Sequence, residues 1–148
     1  MQTAFVVYDI VIRKLETAYL QTRYVVEVEE TEVAFYINDE QNESFDELLN
    51  DYKATTWAFI TACNPFSKVL SNDENERRQC ELKNYLTTAN HKFLRGRGED
   101  SSGNWRAEPS FLIFDIDENQ SNEIGRLFEQ NAVVFGEIYK KPKLIWCR

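Results

Sequence analysis

A carboxylate, a guanidinium and several carboxamides are spaced along this 148-residue chain so that folding can bring them together. Glu108 stands directly before Pro109 and the apolar run Phe111-Leu112-Ile113-Phe114. The proline holds it extended at the entrance to a buried strand. A carboxylate so placed resists ionisation and can act as a general acid or base. The same position also suits a strand-end ion pair with Arg78 or Arg106. Asn75 and Arg78 offer a carboxamide and a planar fork that can grip a carboxylate or phosphate, or can instead pin the Asn64-Pro65 turn through its carbonyls. Asn64 and Ser67 lie where a strand gives way to a helix. Free N–H groups attract anions there, although both residues are also ordinary turn formers.

Arg95 and Arg97, flanking Gly96, can close over a phosphate or remain solvated charges of a loop. Gln130 is a candidate ligand contact and Asn131 a helix cap, both following an apolar helical face. Asp115 and Asp117 share one side of a strand end, an arrangement that can hold Mg²⁺ but more commonly forms a solvated turn. Several familiar chemistries lack their residues. Ser110 has no Gly-x-Ser-x-Gly elbow, and His91 is the single histidine, so no Ser-His-Asp relay assembles without it. Neither a phosphate-binding glycine loop with its lysine nor a dinucleotide fingerprint is present. No cofactor and no metal are implied.

These residues need elements to position them. Val11, Leu15, Ala18 and Tyr19 fall on one helical face. Tyr24 to Val28 and Val33 to Ile37 are β-rich runs joined by an acidic stretch, and predict an antiparallel hairpin. Ser44 with Glu47 has the spacing of a capping box ahead of Phe45, Leu48, Leu49 and Tyr52. The run from Trp57 to Ala62 is apolar enough for a strand buried on both faces. Ser71 and Glu74 predict a second capping box, opening a helix from about Asn72 to Ala89. Its core stripe Leu82, Tyr85, Leu86, Ala89 extends back onto Arg78 and Asn75. That polar start lies beside the carboxyl end of the Trp57 to Ala62 strand, where open α/β sheets tend to bind ligands. Downstream, Phe111 to Ile116 predicts a strand, Ser121 caps a helix bearing Ile124, Leu127 and Phe128, and strands begin at Ala132 and Lys143. The glycine- and serine-rich stretch from Arg95 to Trp105 predicts a flexible loop able to serve as a lid.

The length suits one domain with a real core. Ten Phe, seven Tyr and three Trp against five Gly and three Pro argue against disorder. Cys63, Cys80 and Cys147 fit neither a disulfide framework nor a zinc ribbon, so reduced thiols and a cytoplasmic location are expected. Asp9, Arg13 and Lys14 interrupt the apolar N-terminal patch before it could span a bilayer. A net charge of −8 opposes non-specific nucleic-acid binding. The oligomeric state is open.

WAFITACNPFS (Trp57 to Ser67), Glu74-Asn75 with Arg78, Glu108-Pro109-Ser110-Phe111 and FEQNAVVF (Phe128 to Phe135) together resemble the bacterial domain-of-unknown-function family 3293. The likeness runs in matching order from about Tyr19 to the C-terminus. It departs at Cys63, where an aromatic residue is expected, and it implies a domain without implying a reaction. The expected fold is therefore a single α/β domain over residues 1–148, with a mixed central β-sheet flanked by helices. Asn64, Ser67, Asn75, Arg78, Arg97, Gln130 and Glu108 are the expected site, for a small anionic or nucleotide-like metabolite. The alternative is a non-enzymatic adaptor or inhibitor that presents its acidic hairpin, Glu27 to Glu43, to a basic protein partner.

Overall fold

The computed structural model describes residues 2–148, with side chains from Asp9 onward. It opens with helix α1 (Gln2–Gln21), followed by strands β1 (Thr22–Val28) and β2 (Thr31–Phe35). Glu29 and Glu30 make their tight turn, Glu29 at a positive φ of 54°. Helix α2 spans Glu43–Asp51, β3 Thr56–Ile60, and a short 3₁₀ turn Pro65–Ser67. Helix α3 (Asn72–Thr88), strands β4 (Phe93–Asp100) and β5 (Glu108–Phe114), helix α4 (Glu118–Leu127), and strands β6 (Ala132–Glu137) and β7 (Lys143–Trp146) complete the chain.

The seven strands form one sheet in the order β2-β1-β4-β5-β3-β6-β7. The α/β class and the flanking helices agree with the sequence, but the sheet expected to be mixed is antiparallel in every pair. Interleaving is the reason. The β3-α3-β4 crossover skips one position and β5 fills it, while β5-α4-β6 skips one that β3 fills, so every neighbour runs opposite. This is the β-α-β-β-α-β arrangement called ferredoxin-like, extended by the β1–β2 hairpin on one side and β7 on the other.

Two apolar layers cover the sheet. Ala58, Ile60, Phe111, Ile113, Val133 and Phe135 face α3 and α4 through Leu82, Leu86, Ile124 and Phe128. Trp57, Phe59, Leu112, Phe114 and Val134 face α2 and the end of α1, through Phe45, Leu48, Leu49, Tyr19 and Leu20. Alternation along β3, β5 and β6 supplies both sets, which is why these strands read as continuous apolar runs.

Some local expectations shift. Asn42 caps α2 in place of Ser44, accepting from Phe45 N at 3.1 Å while its amide donates to Ala34 O at 2.8 Å; anchoring to β2 selects it. Asp117 caps α4 with Gln120 in a reciprocal box, so Ser121 lies inside the helix, buried. Ser71 caps α3 as expected, accepting from Glu74 N. The buried stripe of α3 is narrower than its periodicity suggests. Leu82 and Leu86 are buried, whereas Tyr85 is 39% exposed and Ala89 lies at the surface.

The expected lid is mostly sheet. Arg95 to Asp100 belong to β4, paired with both β1 and β5, and only the residues from Ser101 to Ala107 connect strands. Gly96 is there for close packing: a Cβ would come within 2.5 Å of Val25 O and 2.9 Å of the Phe59 ring. Among the described residues, no helix is long and apolar enough to cross a membrane.

Candidate functional site

The candidate site lies at the sheet edge where β3 ends and β5 and β6 begin. The chain leaving β3 enters a turn of unusual backbone geometry, with Asn64, Phe66 and Ser67 all at positive φ, 48°, 51° and 63°. Asparagine tolerates this conformation, but for Phe66 and Ser67 it costs roughly 1–2 kcal/mol each. Such a turn persists only where its surroundings over-determine it, and here side chains from helix α3 and from the segment after α4 do so.

Helix α3 supplies three of them. Asn75 Oδ1 accepts from Asn64 N at 2.9 Å, and its Nδ2 donates to Asn64 Oδ1 at 2.8 Å. Arg78 donates through Nε to Ala62 O and through Nη2 to Phe128 O, both at 2.6 Å, while Nη1 meets Glu129 at 3.4 Å. Gln79 Oε1 accepts from Ala62 N at 3.1 Å; its Nε2 is buried without a partner. The segment after α4 supplies the rest. Gln130 Nε2 donates to Cys63 O and Phe128 O, and Asn131 Nδ2 donates to Ser67 Oγ at 2.8 Å.

Glu108 opens β5 and meets the same turn. Asn64 Nδ2 donates to its Oε1 at 3.0 Å. Asn64 Oδ1 already accepts from Leu70 N at 3.0 Å and from Asn75, so the amide can point only its Nδ2 at the carboxylate. Neither ion pair considered for Glu108 forms, because Arg78 is engaged as described and Arg106 donates to Asn72. Burial raises the Glu108 pKa, and the Asn64 hydrogen bond offsets this only in part. A carboxyl whose pKa is raised by burial can donate as well as accept a proton, which is the chemistry of a general acid or base.

Sequence reasoning thus brought Asn64, Asn75, Arg78 and Glu108 to one place, with Ser67 and Gln130 in the adjoining turn. It did not place Arg97. That residue alternates with Gly96 and Gly98 onto the opposite face of the sheet from Glu108, where Glu32 and Glu99 each hold it at 2.6 Å and Glu27 lies at 3.8 Å. Those carboxylates raise its pKa further. No anion-closing role fits that position. Asp115 takes a positive φ of 53° and Asp117 is a helix cap, so this pair is structural. Among the described residues, no group of carboxylates, histidines and cysteines is arranged to hold a metal.

Two residues were missed, Gln79, which accepts from Ala62 N, and Tyr19, whose hydroxyl feels the Glu108 charge. Gln79 completes the stripe Asn75, Gln79, Leu82, Leu86 at helical spacing, and that spacing was the available signal. Tyr19 carried none. Its pKa is raised first by burial and then by the Glu108 charge. Its ring meets Trp146 edge-on at 6.1 Å. Cys63 lies in the same surroundings, but burial pushes its thiol up, which leaves it a poor nucleophile.

An open groove of about 520 Å³ between α3 and α4 touches the cluster only through Arg78, Phe128 and Glu129. It is a surface feature beside Tyr85 and Leu127, remote from the carboxyl chemistry.

Fold and site together define a ferredoxin-like α/β protein with a strained, amide-braced turn facing an unpaired carboxylate. The chain belongs to the family described as Protein of unknown function (DUF3293), whose model matches residues 60–133, half of its length. That segment runs from the end of β3 into β6 and contains all seven expected site residues. No curated protein and no solved structure matches the chain.

Proposed function

We propose that this chain binds a small polar, nucleotide-like metabolite at the Asn64–Glu108 contact and can turn it over with Glu108 as acid or base. The observation that carries this reading is the state of Glu108. It is a largely buried carboxylate with one protein donor and no cationic partner among the described residues. Burying a carboxylate without pairing it opposes stability, and groups so perturbed concentrate where ligands are handled. The strained turn beside it supports the same reading.

Neither arginine is free to meet a phosphate, since Arg78 is committed to carbonyls and Arg97 to three carboxylates on the other face, so the reading rests on the base-like part of the ligand. Asn64 and Glu108 still offer donor and acceptor groups to a base-like edge. The test is a thermal-shift panel of nucleosides, nucleotides and related metabolites, run on the natural chain and on Glu108→Gln. A ligand at a hundred times its dissociation constant adds about 2.7 kcal/mol, several degrees at this size. The expected result is a shift that the variant loses. A panel without any shift removes the reading.

A second reading, an adaptor or inhibitor for a basic protein partner, is favoured by the β1–β2 hairpin. Its tip holds a shallow hollow of about 540 Å³ lined by Glu27, Glu29, Glu30, Thr31 and Glu32. Glu29 and Glu30 enter no ion pair among the described residues. Charge reversal at both must then abolish salt-sensitive capture of that partner. The three free thiols support a reducing, cytoplasmic compartment for either reading.

A further inference from the structure

We infer that Arg148 and Ser67, at the far end of the Asn64–Ser67 turn, form an oxyanion subsite for the phosphate of the ligand whose polar body meets Glu108; this rests on the small-molecule reading above and supplies the anion contact that Arg78 and Arg97 do not give. Three observations meet here. First, the guanidinium is placed in advance. It lies over the Phe66 ring, 4.4 Å from the centroid, and its Nη1 donates to Asn131 Oδ1 at 3.3 Å. Asn131 is buried and so makes a fixed anchor. The backbone leading to Arg148 is tied down as well, because Cys147 N donates to Asn131 O at 2.9 Å and Cys147 O accepts from Arg126 Nε at 3.0 Å. Stacking on the ring leaves the guanidinium edge free. Nε and Nη2 have no protein partner among the described residues, and together they are the fork that grips two phosphate oxygens.

Second, a hydroxyl is held beside that fork. Asn131 Nδ2 donates to Ser67 Oγ at 2.8 Å, so one buried carboxamide holds the hydroxyl at one end and the guanidinium at the other. Ser67 Oγ only accepts there. Its own proton has no acceptor among the described residues and is available to a further phosphate oxygen. The left-handed backbone of Phe66 and Ser67 is what presents both groups: the Phe66 ring stays 42% exposed as a platform for Arg148. The nearby carboxylate does not cancel the charge. Glu129 accepts Phe66 N through its backbone carbonyl but turns its side chain to Arg78, and Arg148 enters no ion pair among the described residues. Third, the two ends of the turn are close. Ser67 N donates to Asn64 O at 2.9 Å, which keeps their Cα atoms within about 7 Å, and the Asn64 side chain holds Glu108. One nucleotide-sized molecule can therefore set a base-like edge at Asn64 and Glu108 and a phosphate at Ser67 and Arg148.

The test is a titration of the isotope-labelled full chain with inorganic phosphate, against sodium chloride at equal ionic strength. It is read from the Arg148 Nε–H and the Asn131 side-chain amide by NMR. Phosphate is expected to move both signals to saturation and chloride to move neither. Arg148 is exposed, so its substitution leaves the core intact. Arg148→Gln is expected to abolish the response at Asn131, and Arg148→Lys, which keeps the charge but not the fork, to weaken it about tenfold. Glu108→Gln leaves phosphate binding as it is. Signals that phosphate and chloride move alike, or a phosphate response at Asn131 that persists in Arg148→Gln, overturn the subsite and leave the Glu108 reading standing. Saturable binding of phosphate at Arg148 beside a silent metabolite panel upholds the subsite and removes the Glu108 contact alone.

Discussion

Asn64 Nδ2 donates to Glu108 Oε1 across 3.0 Å, and this bond joins the left-handed turn after β3 to the first residue of β5. Because Leu70 N and Asn75 Nδ2 occupy the Asn64 carbonyl oxygen, one side chain orders the turn, the approach to α3 and the carboxyl together. Backbone and side-chain contributions separate by substitution. Asn64→Ala loses the side-chain bonds and keeps a Cβ at φ 48°, at a cost of roughly 3 kcal/mol. Asn64→Gly loses the same bonds but relieves the backbone, so it is expected to be about 1 kcal/mol less destabilised. Urea unfolding of both variants measures the difference.

Arg78→Lys keeps the charge and loses the fork. A single ammonium cannot reach both Ala62 O and Phe128 O with the guanidinium geometry, which leaves buried carbonyls short of a donor. A loss of roughly 2–4 kcal/mol is expected, seen as a lower urea midpoint at unchanged slope.

Glu108 sets a pH dependence of definite sign. Its folded-state pKa lies above the unfolded value because burial disfavours the charged form, so the native state holds the extra proton between the two. Folding stability is therefore unaffected by this group below the unfolded pKa and falls as pH rises through the folded one. Glu108→Gln removes that term. The variant is expected to match the natural chain most closely in acid, to gain on it as pH rises from the unfolded to the raised folded value, and to keep a constant lead above it. Denaturation midpoints taken across the acidic-to-neutral range test this, and a difference of opposite slope contradicts it.

Two glycines two residues apart in β4 are expected to behave differently. Gly96→Ala drives a Cβ into Val25 O, a backbone atom that cannot yield, and into the Phe59 ring, with a loss of about 1–3 kcal/mol. Gly98→Ala meets only the Thr22 methyl, at 3.3 Å, which must shift by a few tenths of an ångström, and is expected to cost clearly less than Gly96→Ala. Thermal melts of the pair suffice.

The thiols should separate by burial. Cys80 is exposed, whereas Cys63 and Cys147 are buried and have raised pKa values, Cys147 up to about 11. At neutral pH one thiol is expected to react quickly with an aromatic disulfide reagent and the other two only on unfolding.

The chain's periodicity by itself determined the apolar strands β3, β5 and β6, the β1–β2 hairpin and the Ser71 cap, because alternation, β-branching and capping are local properties of neighbouring residues. It also pointed to Asn75 and Arg78 as a polar start on an inward helical stripe. Glu108 was legible because a following proline and a buried run are adjacent to it in the chain.

Only the tertiary structure decided what these groups meet. Strand direction depends on which crossover fills which gap in the sheet, so the expected parallel component disappeared. Arg97 read as part of a loop because glycines flank it, and only pairing with β1 and β5 shows that Gly96 makes room for the Phe59 ring. Whether a guanidinium is free for a ligand depends on the carbonyls within its reach, here Ala62 O and Phe128 O, far apart in the chain. For the same reason the contact of the Tyr19 and Trp146 rings, from opposite ends of the chain, had no local trace: a contact between distant residues is set by the path of the backbone between them.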